Sequence, residues 1–152
     1  MIFNPDFTAF TRNELLETLY AFSQPAKEQW LIIGPPFPGE EMLVDFFREY
    51  ADLKPSYQHF ESFTPEQFAA LDQIESVLRA IAKRPDAQDV CLDPERLGTE
   101  PVWDELRTMT HAVLLSLGLD PTEMEPVVEI EQHGSVVVHR WQLKAKTEDP
   151  GL

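Results

Sequence analysis

Four histidines, His59, His111, His133 and His139, are the side chains best suited to carry a proton near neutral pH. None falls in a spacing that would hold zinc from one element, and no H-E-x-x-H pair is present. His111 follows Arg107 by one helical turn, so its neighbour is cationic rather than a co-ligand. Alternation along the C-terminal strands puts Glu129, Glu131 and His139 on one sheet face. Carboxylates beside an imidazole can transfer protons there, although a solvated face with modest charge pairs is the plainer reading. Cys91 sits in Asp89-Val90-Cys91-Leu92-Asp93, where flanking acids push the thiol up, the wrong direction for a nucleophile. A small buried hydrophobe is its expected role. No G-x-S-x-G elbow and no EF-hand loop occur. The run Gly34-Pro35-Pro36-Phe37-Pro38-Gly39 cannot cradle phosphate: it lacks a Walker lysine, its prolines remove amide donors, and Glu40 and Glu41 would repel the ligand. It reads as a rigid turn. No catalytic residue, cofactor or metal is assigned.

Carboxylate density is what remains. Glu40, Glu41, Asp45, Glu49 and Asp52 face only Arg48 in their stretch; Asp86, Asp89, Asp93, Glu95, Glu100, Asp104 and Glu105 face only Arg96; Asp120, Glu123, Glu125, Glu129 and Glu131 face no base. Cations collect later, at Arg140, Lys144 and Lys146. One run alone is solvated surface, but runs that converge in the fold make a docking patch for a cationic protein. The candidate docking residues are Glu40, Glu41, Asp45, Asp86, Asp89, Asp93, Glu123, Glu125, Glu129 and Glu131.

The net charge of −15 repels phosphate and anionic membrane surfaces. It suits solubility, or a basic partner steered in by the field. One cysteine excludes an internal disulfide and fits a reducing compartment. The first residues carry neither a basic patch nor an apolar run of signal length, and no stretch approaches the roughly 20 apolar residues of a membrane span. The expectation is a cytoplasmic protein that binds a basic protein partner, most concretely an immunity or inhibitor protein covering the cleft of a toxin or nuclease. A small enzyme or ligand binder using His59, His111 or His139 with carboxylates is the alternative. An acidic secretion chaperone, with an apolar groove and a dimeric state, is a third. The sequence does not specify an oligomeric state.

These side chains need elements to hold them. Thr64-Pro65-Glu66-Gln67 is a capping box with proline at the first helical position, and Phe63 and Phe68 form a staple. Phe68, Leu71, Ile74, Leu78 and Ile81 then line one face up to Pro85. This helix is expected to be the central packing element. A first helix opens at Thr11, after an irregular start over 1–10, with Phe10 and Leu15 as its staple. Trp30–Ile33 reads as a buried strand, with a helix from Pro25 as the competing assignment. Glu40 to Ala51 is helical, and Ser56–Phe60 is a short strand that would complete a βαβ unit. Residues 86–100 read as loop, and Thr99–Leu117 as helix closed by Gly118. The C-terminal quarter is a hairpin over 127–145. A three-residue loop at 132–134 pairs Glu131 with Ser135 and places Val128, Ile130, Val136 and Val138 on one apolar face. The fold class is α+β: about four helices packed on a small sheet, one domain over 1–152, with a flexible tail over 147–152.

Overall fold

The computed structural model describes residues 3–146; the expected tail over 147–152 lies outside them. The chain is an α+β fold: α1 (Pro5–Ser23), α2 (Ala26–Ile33), α3 (Pro38–Phe46), α4 (Lys54–His59), α5 (Pro65–Ala82), α6 (Ala87–Leu92), α7 (Pro94–Thr99) and α8 (Pro101–Ser116) precede a hairpin of β1 (Met124–His133) and β2 (Val136–Ala145). No described helix is long and apolar enough to cross a membrane.

α5 forms as its sequence dictates. The Thr64 hydroxyl accepts the Gln67 N–H at 3.1 Å, and the Gln67 amide oxygen accepts the Thr64 N–H at 2.9 Å. Leu71, Ile74 and Leu78 are fully buried. The middle of the body is α1, however, not α5. α1 packs against α2, α3 and α8, whereas α5 lies outside α8. Leu15, Leu19, Ala21 and Phe22 of α1 have no exposed surface. α1 also begins earlier than expected. The Asn4 carboxamide caps the Asp6 and Phe7 N–H groups at 2.9 and 3.1 Å, and Pro5 takes the first helical position. Phe10 is 61% exposed, so the expected staple does not form.

Trp30–Ile33 and Ser56–Phe60 are not strands, so the expected βαβ unit does not form. Trp30–Ile33 closes α2, which Gln29 ties to α1 by donating to the Ala21 and Phe22 carbonyls at 3.0 and 3.2 Å. The Phe22 carbonyl is an orphan acceptor at the helix end, while the Ala21 carbonyl also takes the Gln24 N–H at 3.2 Å; the helical turn at Gln29 brings its amide to both. Residues 54–59 form α4, whose Tyr57 is buried and donates to the Glu49 carbonyl at 2.6 Å. The acidic stretch 86–100 folds into α6 and α7 rather than loop. Their short apolar faces, Val90 and Leu97, enter the core, and Trp103 reaches back to the Val90 carbonyl at 3.1 Å.

The hairpin register also differs from expectation. His133 pairs with Val136, so the loop is Gly134-Ser135, with Gly134 at φ +64° and Ser135 not left-handed. That is the two-residue turn whose twist matches the strands and which takes glycine at its first central position. Val128 therefore opposes Trp141 and Ile130 opposes His139. Val136 and Val138 share the outer face with Glu129 and Glu131, and His139 and Trp141 turn to the helical body instead. Packing decides this: Met124, Pro126, Val128, His139, Trp141 and Leu143 on the inner face are half-buried, whereas on the outer face only Val138 is, and Trp141 and Leu143 offer far more area to bury than two valines.

Candidate functional site

β2 packs on α2 and faces α3 across a cleft of about 460 Å³. Glu41 and Asp45 line its helical side, and Glu129, His139, Arg140, Trp141 and Lys144 line its strand side. The cleft continues past Asp45 and Trp141 into a recess of about 290 Å³ lined by Glu14, Glu17, Thr18, Arg48 and Glu49. Helical spacing explains the acidic wall. Glu14, Glu17 and Thr18 stand three and four residues apart on α1, as do Glu41 and Asp45 on α3, so each set shares a face.

Glu49 reaches the same wall by a different device. Residues Phe47–Ala51 form one wide π turn, with Asp52 N–H bonding back five residues to the Phe47 carbonyl at 3.1 Å. Such turns cluster at functional positions. The extra residue lets consecutive side chains face inward: Glu49 is 6% exposed and Tyr50 fully buried. The Thr18 hydroxyl donates to Glu49 Oε1, and among the described residues no donor reaches Oε2. Burial raises the Glu49 carboxyl to about 7; the Thr18 bond and Arg48 pull it down, while Asp45 and Glu14 push it further up.

Its neighbours shift the same way. Burial and then Glu14 raise Glu17, although the Leu143 backbone amide supports its charge. Partial burial and Asp45 raise Glu41 against His139 and Arg48. Burial raises Asp45 against Arg48, which holds it at 2.7 Å. One guanidinium thus faces five carboxylates on the helical wall. A cluster of perturbed groups in a cleft is a candidate functional site; its helical wall is short of positive charge, while Arg140 and Lys144 stand on the strand side.

The hairpin is held over this wall at defined points. His139 Nε2 lies 2.8 Å from the Ile32 carbonyl, an orphan acceptor at the end of α2. Gly34, at φ +84°, lets the chain pass beneath the ring: a Cβ there would sit 2.9 Å from His139 Nδ1. Tyr20 donates to the Met124 carbonyl at 3.4 Å and packs on Trp141 with ring centroids 6.4 Å apart.

Of the residues singled out from sequence, Glu41, Asp45 and Glu129 meet in the cleft. Glu40 is exposed at the start of α3. Asp86 is committed inside the protein: Arg84 and Arg96 each lie 2.8 Å away, bridge on to Glu100, and hold its carboxyl down to about 2. Asp93 caps α7 through the Glu95 N–H at 2.9 Å, and Asp89 is exposed on α6. Glu123 and Glu125 lie at the base of β1, with Glu125 opposite Lys144, and Glu131 pairs with His133 at 3.1 Å near the tip. His59 and His111 line neither the cleft nor its recess. The expected grouping of His139 with Glu129 and Glu131 on one face does not occur, because the register sends His139 to the opposite face. Glu14, Glu17 and Thr18 were missed. Their i, i+3 and i+4 spacing was visible, but only α3 and the hairpin give it meaning.

A second groove, between α5 and α8, is lined by Thr64, Gln67, Ala70, Met109, Ala112 and Val113 and encloses about 490 Å³. It is mainly apolar and lacks convergent charge. Among the described residues no group of three or more His, Cys, Asp or Glu side chains is arranged to hold a metal ion. Cys91 is half-buried, and burial, then Glu40, push its thiol up. No protein-family model, curated protein or solved structure matches this chain.

Proposed function

We propose that this chain is a cytoplasmic, non-enzymatic acidic binding protein whose partner is a basic protein, and that the cleft between β2 and α3 receives the partner's lysine or arginine side chains. The observation that carries the reading is the wall of Glu17, Glu41, Asp45 and Glu49, four carboxyls all raised by burial and crowding. An entering cation relieves the repulsion that raises them, and Trp141 offers its ring beside the same space. Its most concrete form is an inhibitor or immunity protein that covers the substrate cleft of a toxin or nuclease.

The test is to isolate the partner from cells of the source and measure binding kinetics across a salt series. Rim reversals, Glu123→Lys with Glu125→Lys, should slow association with little effect on dissociation. Glu41→Lys with Asp45→Lys should speed dissociation as well, because these acids stand inside the cleft. An acidic partner, or an affinity indifferent to salt, contradicts the reading.

One observation favours a second reading. A carboxyl titrating near 7 beside a threonine hydroxyl in a cleft is poised for proton transfer. Turnover of a small molecule that Glu49→Gln abolishes would select an enzyme over a binding protein.

A further inference from the structure

A two-stranded sheet has two unpaired edges, and the register identifies the groups on each. His133 and Val136 flank the two-residue loop, so they exchange ladder bonds, and alternation extends that bonding to Glu131–Val138, Glu129–Arg140 and Val127–Gln142. The residues between them turn N–H and C=O outward. On β1 these include Pro126, which has no N–H to offer. On β2 they are Val137, His139, Trp141 and Leu143. The Leu143 amide already meets Glu17. Among the described residues, nothing takes the outward backbone groups of Val137, His139 and Trp141.

The cleft runs along this edge: residues of both strand faces, His139 and Trp141 with Arg140 and Gln142, line it. Across it stand Glu41 and Asp45. We infer that the free edge of β2 and the acidic wall of α3 form one groove, in which an extended, lysine- or arginine-bearing segment of the protein partner adds as a third strand. This rests on the reading above and gives it a binding mode. Main-chain bonds to Val137, His139 and Trp141 supply sequence-independent affinity, and alternate side chains of the added strand reach the carboxylates. Charge complementarity selects the occupant. Arg140 and Lys144 also line the cleft, at register positions opposite Glu129 and Glu125, while the five acids of the helical wall share only Arg48, so the groove keeps an excess of negative charge. Hairpins of two strands are marginal by themselves, so a third strand also stabilises the distal half, where Ile130 and Val137 are 67% and 62% exposed.

The test uses the intact protein, labelled with ¹⁵N, and three probes: a short alternating Val–Lys peptide, the same peptide N-methylated throughout, and an alternating Val–Glu peptide. Amide hydrogen exchange is read at Val137, His139 and Trp141. Free, these three should exchange far faster than Val138, Arg140 and Gln142. The Val–Lys peptide should slow them by about tenfold or more, and the other two should not. Val137→Pro removes only an outward N–H, so the melt should hold while Val–Lys affinity falls about tenfold. Equal binding of the N-methylated peptide overturns strand addition and spares the acidic docking reading. Protection by Val–Glu as strong as by Val–Lys overturns both. A Val–Lys peptide that leaves the three edge amides unprotected at millimolar concentration overturns this inference, whatever Val137→Pro does.

Discussion

Replacing Glu49 with glutamine tests the electrostatics of the cleft at its most buried point. Folded, the carboxyl titrates near 7; its ordinary value is 4.5. Between those pH values the folded protein holds a proton that the unfolded chain has released. Stability contributed by that proton is fully present below about 4.5 and is lost as pH rises to 7. Each pH unit of displacement is worth about 1.4 kcal/mol, so the ionised group costs the folded state about 3 kcal/mol at pH 8. Glutamine keeps the shape and still accepts the Thr18 hydroxyl, but it never ionises. Urea melts should therefore find Glu49→Gln within about 0.5 kcal/mol of the parent near pH 4.5 and about 2–3 kcal/mol more stable at pH 8, with m unchanged. Equal stability of the two proteins at pH 8 would show that water or relaxation neutralises the burial, and the reasoning about the cleft would fall with it.

Other substitutions test the scaffold by denaturant melts. Gly34→Ala puts a Cβ 2.9 Å from His139 Nδ1 at φ +84°, so it should cost about 2 kcal/mol or more and loosen the hairpin. Gly134→Ala at φ +64° meets open space and should cost only about 1 kcal/mol, the strain of the left-handed backbone; the reverse order contradicts the His139 contact. Leu78→Ala, at a fully buried position, should cost about 2–5 kcal/mol, and a loss below about 1 kcal/mol means that face is not core. Thr64→Ala removes the α5 cap and should cost about 1 kcal/mol.

The sequence carried the long periodic helices well and the short ones poorly, for a physical reason. α5 and α8 announce themselves by four turns of apolar repeat and by caps, and Gly118, at φ +79°, closes the last turn of α8 as its position implied. Short helices bury one or two side chains each, too few for a period to show. They had another signal. Proline stands at the first helical position of α1, α3, α5, α7 and α8, so Pro5, Pro38 and Pro94 mark helix starts as Pro65 does, inside stretches that look irregular by apolar period alone. Asn4-Pro5 and Asp93-Pro94 repeat the Thr64-Pro65 pattern of a capping side chain before proline. The hairpin was visible, but not its register. Equal alternation on both strands permits several pairings, and the choice lies with Trp141 and Leu143 packing on the helical body. The site was half visible for the same reason: Glu41 and Asp45 are one turn apart on α3, but Glu49 needs the π turn to join them, and nothing local marks that turn.

The most direct test of the cleft as a cation-binding site is the titration of the Glu49 side-chain carboxyl, followed by carbon NMR with and without the N-methylated Val–Lys peptide, which brings charge but no strand. Linkage is reciprocal: a cation that binds beside Glu49 must favour its ionised form. The midpoint should lie near 7 in the free protein and fall by about one pH unit or more at saturating peptide. A midpoint that stays in place while the peptide is bound would mean that the cation sits elsewhere on the acidic surface and that the cleft is not the docking site.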